Sequence, residues 1–232
     1  MLSQATSVKA QGVGSVYIEQ TRLIEELGKD DFTVYHNKHS HKYDLYHVHS
    51  VNPQYYELMK SKKNISICFV HFLPDTLEGS IRLPKLAFRI FKKYVTSFYK
   101  AAKEIVVVNP AFIPDLVKFG IKKENITYIP NFVSKEDFYK VSEEKKKEFR
   151  TKYQIPADKF VVLGVGQVQT RKGILDFIDI SKRNPDMYFI WAGGFSFGNI
   201  TEGYSQLKKE VETKRANLKF LGIRERKEMQ EI

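Results

Sequence analysis

KFVVLGVGQVQTRKG, residues 159–173, decides the fold. An apolar run climbs to Gly166, a short polar loop follows, and a helical pattern opens near Gly173. The run is continuous rather than alternating, as expected of a strand covered on both faces in a parallel sheet. Arg171 and Lys172 then stand at the mouth of that sheet beside a helix N-terminus, where open α/β sheets bind ligands. No Gly-Lys-Ser/Thr follows, so this is not a P-loop, and the third glycine of a GxGxxG dinucleotide fingerprint is missing. Standing alone, the basic pair reads as a solvated loop.

The neighbouring sequence repeats the pattern. MYFIWAGG (187–194) is a second apolar run closing on Gly193 and Gly194, within WAGGFSFG, where missing side chains permit close approach of a ligand or another backbone. Trp191 reads as core. Further strands are expected at 32–36, 43–51, 64–73, 104–109, 125–130 and 218–223, with helices near 15–28, 52–62, 83–103, 110–119, 135–152, 173–184 and 203–215. Strand and helix alternating in this way predict an α/β, doubly wound architecture. The charged segment VSEEKKKEFRTKYQIPADK (141–159) reads as a surface helix leading into a new unit. The expected domains are therefore 1–155 and 156–232, with five strands before the boundary and three after. The end, RERKEMQEI, lies in a helix-forming stretch without a cap, and the chain is expected to be cut short there.

Composition narrows the class of partner. The 232 residues carry a net charge of +11, with 42% hydrophobic and 28% charged residues, which describes a globular protein that favours anionic partners. The single cysteine, Cys68, excludes an internal disulfide and sits in an apolar run as a buried hydrophobe. The start lacks the pattern of a secretory signal, and no run approaches the roughly 18 apolar residues of a membrane span. The expected location is cytosolic, or peripheral on the inner face of a membrane.

Three further places carry chemistry. QGVGS (11–15) sets Gly12 and Gly14 before a helical pattern, so it reads either as a phosphate-binding helix start or as a plain tight turn. His47 and His49 alternate on one strand face with no third ligand spaced to help them, so no metal is expected. His71 falls near the C-terminal end of a strand, either as a polar catalytic contact or as a buried structural histidine.

RLPKLAFRIFKKYVTSFYKAAK (82–103) holds seven basic residues and no acid. On a helix, Arg82, Lys85, Arg89, Lys92, Lys93, Lys100 and Lys103 fall within an arc of about 100°. The apolar and aromatic surface beside that arc is wider than one core-facing stripe needs. Such a helix suits the interface of an anionic membrane. Nucleic acid is not the expected partner, because no recognisable binding module accompanies the helix.

Taken in order, these motifs resemble the retaining glycosyltransferases of the GT-B fold, family four in the sequence-based classification. VHFLPDTLEGS, VVVNPAFIPDLV, YIPNFV, GQVQTRKGI and FIWAGGFSFG look in particular like the streptococcal-type glycolipid hexosyltransferases. The resemblance implies two Rossmann-like domains, an N-terminal one on the acceptor and membrane side and an incomplete C-terminal one for the nucleotide sugar. It implies transfer of a galactose or glucose from a UDP-sugar to diacylglycerol or glucosyl-diacylglycerol with retention of the α configuration, without a cofactor or metal. Gly12 and Gly14 would approach the donor diphosphate, and His71 would lie near the reacting sugar. Lys172, with Arg171 beside it, would neutralise the leaving group, and Gly166, Gly193 and Gly194 would line the donor site. Two features depart from the broad family pattern. Gln167 stands where an arginine is usual, as in the glycolipid subgroup. The chain also starts inside the expected first strand and ends before the E-x7-E segment that holds the donor, so weak or no activity is expected of it. The alternatives are transfer to a capsule or cell-wall precursor, or a non-catalytic basic module for anionic lipid or nucleic acid.

Overall fold

Both sheets in the computed structural model of this chain are parallel; it describes residues 1–5, 12–61, 63–136 and 138–232. The chain divides into two units, Met1–Glu78 with Leu83–Phe132, and Gly79–Arg82 with Val133–Ile232.

The first unit runs α1 (Gly12–Leu27), β1 (Leu45–Val48), α2 (Pro53–Met59), β2 (Ile65–Val70), α3 (Lys85–Ala101), β3 (Glu104–Val107), α4 (Ile113–Lys118) and β4 (Ile126–Tyr128). Its strands lie in the order β1-β2-β3-β4, so each parallel neighbour is reached by a crossover that carries a helix. Val48, Val70 and Val107 are fully buried, as a strand covered on both faces requires. Asparagine and proline set helix starts: Asn52 accepts the amide of Gln54 at 2.8 Å with Pro53 in the first turn, and Asn109 accepts that of Ala111 at 3.0 Å before Pro110.

The strand expected at 32–36 does not form a ladder. Phe32 donates its amide back to the Gly28 carbonyl at 2.8 Å, the Met1 ammonium donates to the Tyr35 carbonyl at 3.0 Å, and the Met1 carbonyl accepts from Asn37, just past the run, at 3.0 Å. One residue of partner is too little for a strand. Leu2 instead forms a parallel bridge with Val48 beside β1.

The basic segment is shorter as a helix than its pattern predicts. Arg82 belongs to the second unit and Lys103 lies past the helix end, so α3 carries five of the seven basic residues. Lys92 pairs with Asp75 at 2.6 Å. The wide apolar surface has a partly internal explanation, since Val95, Phe98 and Tyr99 are core and the Tyr99 hydroxyl donates to the Phe72 carbonyl at 2.8 Å. Only the N-terminal half faces outward: Leu86 and Ile90 are 68% and 63% exposed, one turn apart, beside the exposed Lys85, Arg89 and Lys93.

The second unit runs α5 (Glu143–Lys152), β5 (Phe160–Val165), α6 (Ile174–Arg183), β6 (Met187–Ala192), α7 (Tyr204–Glu212), β7 (Leu218–Gly222) and α8 (Arg226–Met229), with strand order β5-β6-β7. It begins at Val133 rather than near residue 155. The reason is packing: Phe149 of α5, with Tyr153 and Ile155 beyond it, joins the cluster of Ile190, Ala192 and Leu221. Helix α5 starts only where Ser142 caps it, accepting the amide of Lys145 at 3.4 Å, so 138–142 is not helical.

The short segment Gly79–Arg82 is the unexpected member of this unit. Arg82 donates its amide to the Ile200 carbonyl at 2.8 Å, and the Ser80 carbonyl accepts from Glu202 at 3.2 Å, an antiparallel bridge that no local pattern announces.

Candidate active site

In the second unit the strand ends are built from bare backbone. Gly166, at the end of β5, and Gly193, just after β6, touch each other: a Cβ on Gly193 would lie 1.8 Å from the Gly166 carbonyl oxygen. The same strand ends are tied by Gly166 donating to Ala192 at 3.0 Å, Val168 to Gly194 at 2.9 Å and Gly193 to Gly222 at 2.9 Å. The Trp191 indole N–H donates to the Gly166 carbonyl at 3.0 Å, which makes this tryptophan a core ring with a polar anchor. Gly164 has no room for a side chain, because the Trp191 ring occupies it.

A turn over 170–172 then carries Arg171 and Lys172 to the start of α6, with Gly173 in the left-handed region at φ 75°. Partial burial lowers both cations, and the neighbouring Arg171 charge lowers Lys172 further. A pair of cations held together with incomplete hydration favours an anion carrying more than one charge. The Gln169 side chain is buried beside them, its Oε1 without a partner among the described residues. Arg171 is also held from behind, its Nε–H donating to the hydroxyl of the fully buried Ser80. Sequence reasoning missed Ser80; a contact across 91 positions leaves no local signal. Gly166, Arg171, Lys172, Gly193 and Gly194 are thus brought together in one unit.

His71, Gly12 and Gly14 lie in the other unit. Both glycines fall inside the first turn of α1, and the residues before them, 6–11, are outside the described residues. Tyr17, one turn further along α1, sets its ring edge-on to His49 with centroids 5.3 Å apart. His49 in turn meets His71, Nδ1 to Nε2, at 3.3 Å. The helix start and the strand-end histidine are therefore neighbours.

His49 stacks on Phe69 with centroids 4.7 Å apart, and His47 packs against the same ring at 4.5 Å, tilted by 43°. Burial holds His47 down to about 3, His49 to about 2 and His71 to about 4, so all three are neutral near pH 7. No group of three or more His, Cys, Asp or Glu among the described residues is arranged to hold a metal ion. Cys68 is buried in the same sheet, with its thiol pushed above the usual range.

Two units, each built on a parallel sheet, one ending in glycine-lined strands with a cation pair and the other in a strand-end histidine, have the architecture of the GT-B fold. The solved structure of Anabaena Alr3699/HepE in complex with UDP-glucose has the same fold: TM-score 0.70, 17% identity, 97% of this chain and 68% of that one. Residues 12–137 match Glycosyltransferase Family 4, and the chain belongs to that family. It is 44% identical, over its full length, to the alpha-galactosylglucosyldiacylglycerol synthase of Streptococcus pneumoniae (strain ATCC BAA-255 / R6), covering 62% of that protein. It is 24% identical over 94% of its length to the processive diacylglycerol alpha-glucosyltransferase of Acholeplasma laidlawii, covering 63% of it. The chain thus spans somewhat under two thirds of each curated relative's length.

Proposed function

We propose that the protein transfers galactose or glucose from a UDP-sugar to a membrane lipid acceptor, diacylglycerol or glucosyl-diacylglycerol, with retention of the α configuration. The observation that carries this reading is the Arg171–Lys172 pair beside strand ends stripped to backbone by Gly166, Gly193 and Gly194. The pair suits a diphosphate whose negative charge grows as the bond to the sugar breaks. The side-chain cations and the bare backbone amides of the second unit supply that stabilisation without calling on a metal. His71 contacts the sugar as a neutral hydrogen-bonding group. The choice of acceptor follows the relatives named for diacylglycerol glycolipids.

Lipid mass spectrometry tests it. The chain is incubated with UDP-glucose or UDP-galactose on anionic vesicles holding diacylglycerol and glucosyl-diacylglycerol, and a lipid heavier by one hexose is expected. Lys172→Ala should weaken UDP binding by about tenfold to a hundredfold, the worth of one charged hydrogen bond. Unchanged affinity removes Lys172 from the donor site, and a chain that neither binds UDP nor makes product rejects the transferase reading.

The membrane side of the proposal rests on α3. No helix among the described residues is long and apolar enough to cross a membrane. Leu86 and Ile90, edged by Lys85, Arg89 and Lys93, suit the inner, anionic face of a cell membrane. Lys92 is already paired with Asp75, so the informative variant is Arg89→Glu with Lys93→Glu. Removing two surface cations should weaken binding to anionic vesicles by roughly thirtyfold in cosedimentation, more at low salt. Binding that survives intact places the lipid contact elsewhere.

A further inference from the structure

The contact between His49 and His71 has a specific shape. The ring planes differ by only 24° while the centroids are 5.5 Å apart, too far for face-to-face stacking. With Nδ1 and Nε2 at 3.3 Å, the two rings are nearly coplanar and meet edge to edge. Each ring therefore points a nitrogen at the other, and one proton lies between them. His49 has little freedom to leave this position. Its face lies on Phe69 at 4.7 Å and 17°, Tyr17 stands edge-on, and the residue is 2% exposed.

Which ring carries the shared proton follows from the far side of His49. Its Nε2 is buried and has no partner among the described residues. A neutral imidazole has one N–H and one lone pair. Placing the N–H on Nε2 would bury a donor without an acceptor, the rarer and costlier arrangement in folded proteins. The proton of His49 therefore sits on Nδ1 and is given to His71 Nε2. His71 must then carry its own proton on Nδ1, which makes no hydrogen bond among the described residues, on a ring that is only partly buried.

We propose that His49 is a positioning residue that fixes the tautomer of His71, so that His71 offers a donor Nδ1–H, and not a lone pair, to whatever binds at the end of β2. A donor suits a sugar hydroxyl or ring oxygen and is unable to abstract a proton. This deepens the proposed transferase function and rests on it for the identity of the ligand, but the tautomer itself is read without any turnover.

The first test is a long-range nitrogen–proton correlation spectrum of the histidine rings in the intact chain at neutral pH. His71 is expected with Nδ1 protonated and Nε2 bare; a His71 protonated on Nε2 overturns the proposal. The second test uses His49→Phe, which keeps the ring on Phe69 and removes the donor, and His49→Asn, whose amide Nδ2 stands near the place of imidazole Nδ1. In His49→Phe the His71 proton should redistribute toward Nε2, and kcat should fall by about tenfold with little change in KM for the UDP-sugar. His49→Asn should restore most of kcat and the original tautomer. A role in packing alone predicts the opposite order, because phenylalanine fills the site and asparagine leaves a gap. If His49→Phe does not fold, the wild-type spectrum and His49→Asn still decide. A chain that neither binds UDP nor makes a glycolipid product rejects the transferase reading, while the spectrum decides the tautomer separately.

Discussion

Gly193→Ala is expected to unfold the second unit's strand ends or prevent them from forming. The added Cβ would stand 1.8 Å from the Gly166 carbonyl oxygen and 2.7 Å from its carbon, and both are backbone atoms that no rotamer change can move. The residue also sits at φ 140°, which side-chain-bearing residues rarely adopt. Relief requires β5 and β6 to part where Gly166 bonds Ala192 and where Trp191 bonds Gly166. Overpacking against rigid backbone together with φ strain should cost about 4 kcal/mol or more, a large part of the stability of a small unit. Trp191 is the only tryptophan, so its fluorescence during urea denaturation reports on this unit alone. The control is Gly203→Ala, which has φ 70° but meets nothing within 4 Å and should cost only about 1 kcal/mol. Equal midpoints for the two variants would show that the Gly166–Gly193 approach is not as tight as described. UDP affinity should fall with Gly193→Ala and hold with Gly203→Ala.

Acid should act on the other unit. His47, His49 and His71 are held far below their ordinary value of 6.5 by burial, and like charges nearby lower His47 and His49 further. A histidine with a depressed folded pKa is kept neutral by the fold, so the unfolded chain binds more protons once pH drops below about 6.5. Stability is therefore fully present above that pH. It declines steadily below it, down to the folded values of about 4, 3 and 2. At pH 5 each histidine withdraws about 2 kcal/mol, and three together rival the whole stability of a small unit. Hydrogen exchange of the β1 and β2 amides, compared at pH 7 and pH 5 after correction for intrinsic rates, measures this. Protection that does not change across that interval would mean the rings are hydrated and not buried. Trp191 fluorescence should be nearly indifferent to the same step, because the histidines lie outside its unit.

The two expectations separate what is local from what is not. Among the described residues, β1 to β7 lie within the runs that the sequence marks, because a strand covered on both faces must be apolar along its whole length. Glycines at the ends of two such runs, followed by Arg171 and Lys172, were legible because a close approach of backbone excludes side chains at those positions. The exception at 32–36 is a run with the right residues that, among the described residues, meets Met1 and Gly28 and no strand.

Whatever depended on a distant partner was decided by the tertiary structure. His47 and His49 were legible as one face of a strand, but His71 joins them only through the parallel register that sets His47 opposite Ile67 and Val48 opposite Cys68. The boundary of the second unit moved from near 155 to 133 because α5, which looked like a solvated surface helix, packs Phe149 on β6 and β7. The basic helix kept its charge pattern but lost half of its apolar face to the core, since a helical wheel does not say which turns lie under a sheet. Ser80 reached Arg171 from 91 positions away. Sequence alone marked the runs that became strands, the central turns of the helices and the glycine-lined cation site, because run length and glycine spacing act within a few residues. Tertiary structure decided the histidine cluster, the unit boundary and the buried hydroxyl behind Arg171, because burial and hydrogen bonding are settled only when distant segments meet.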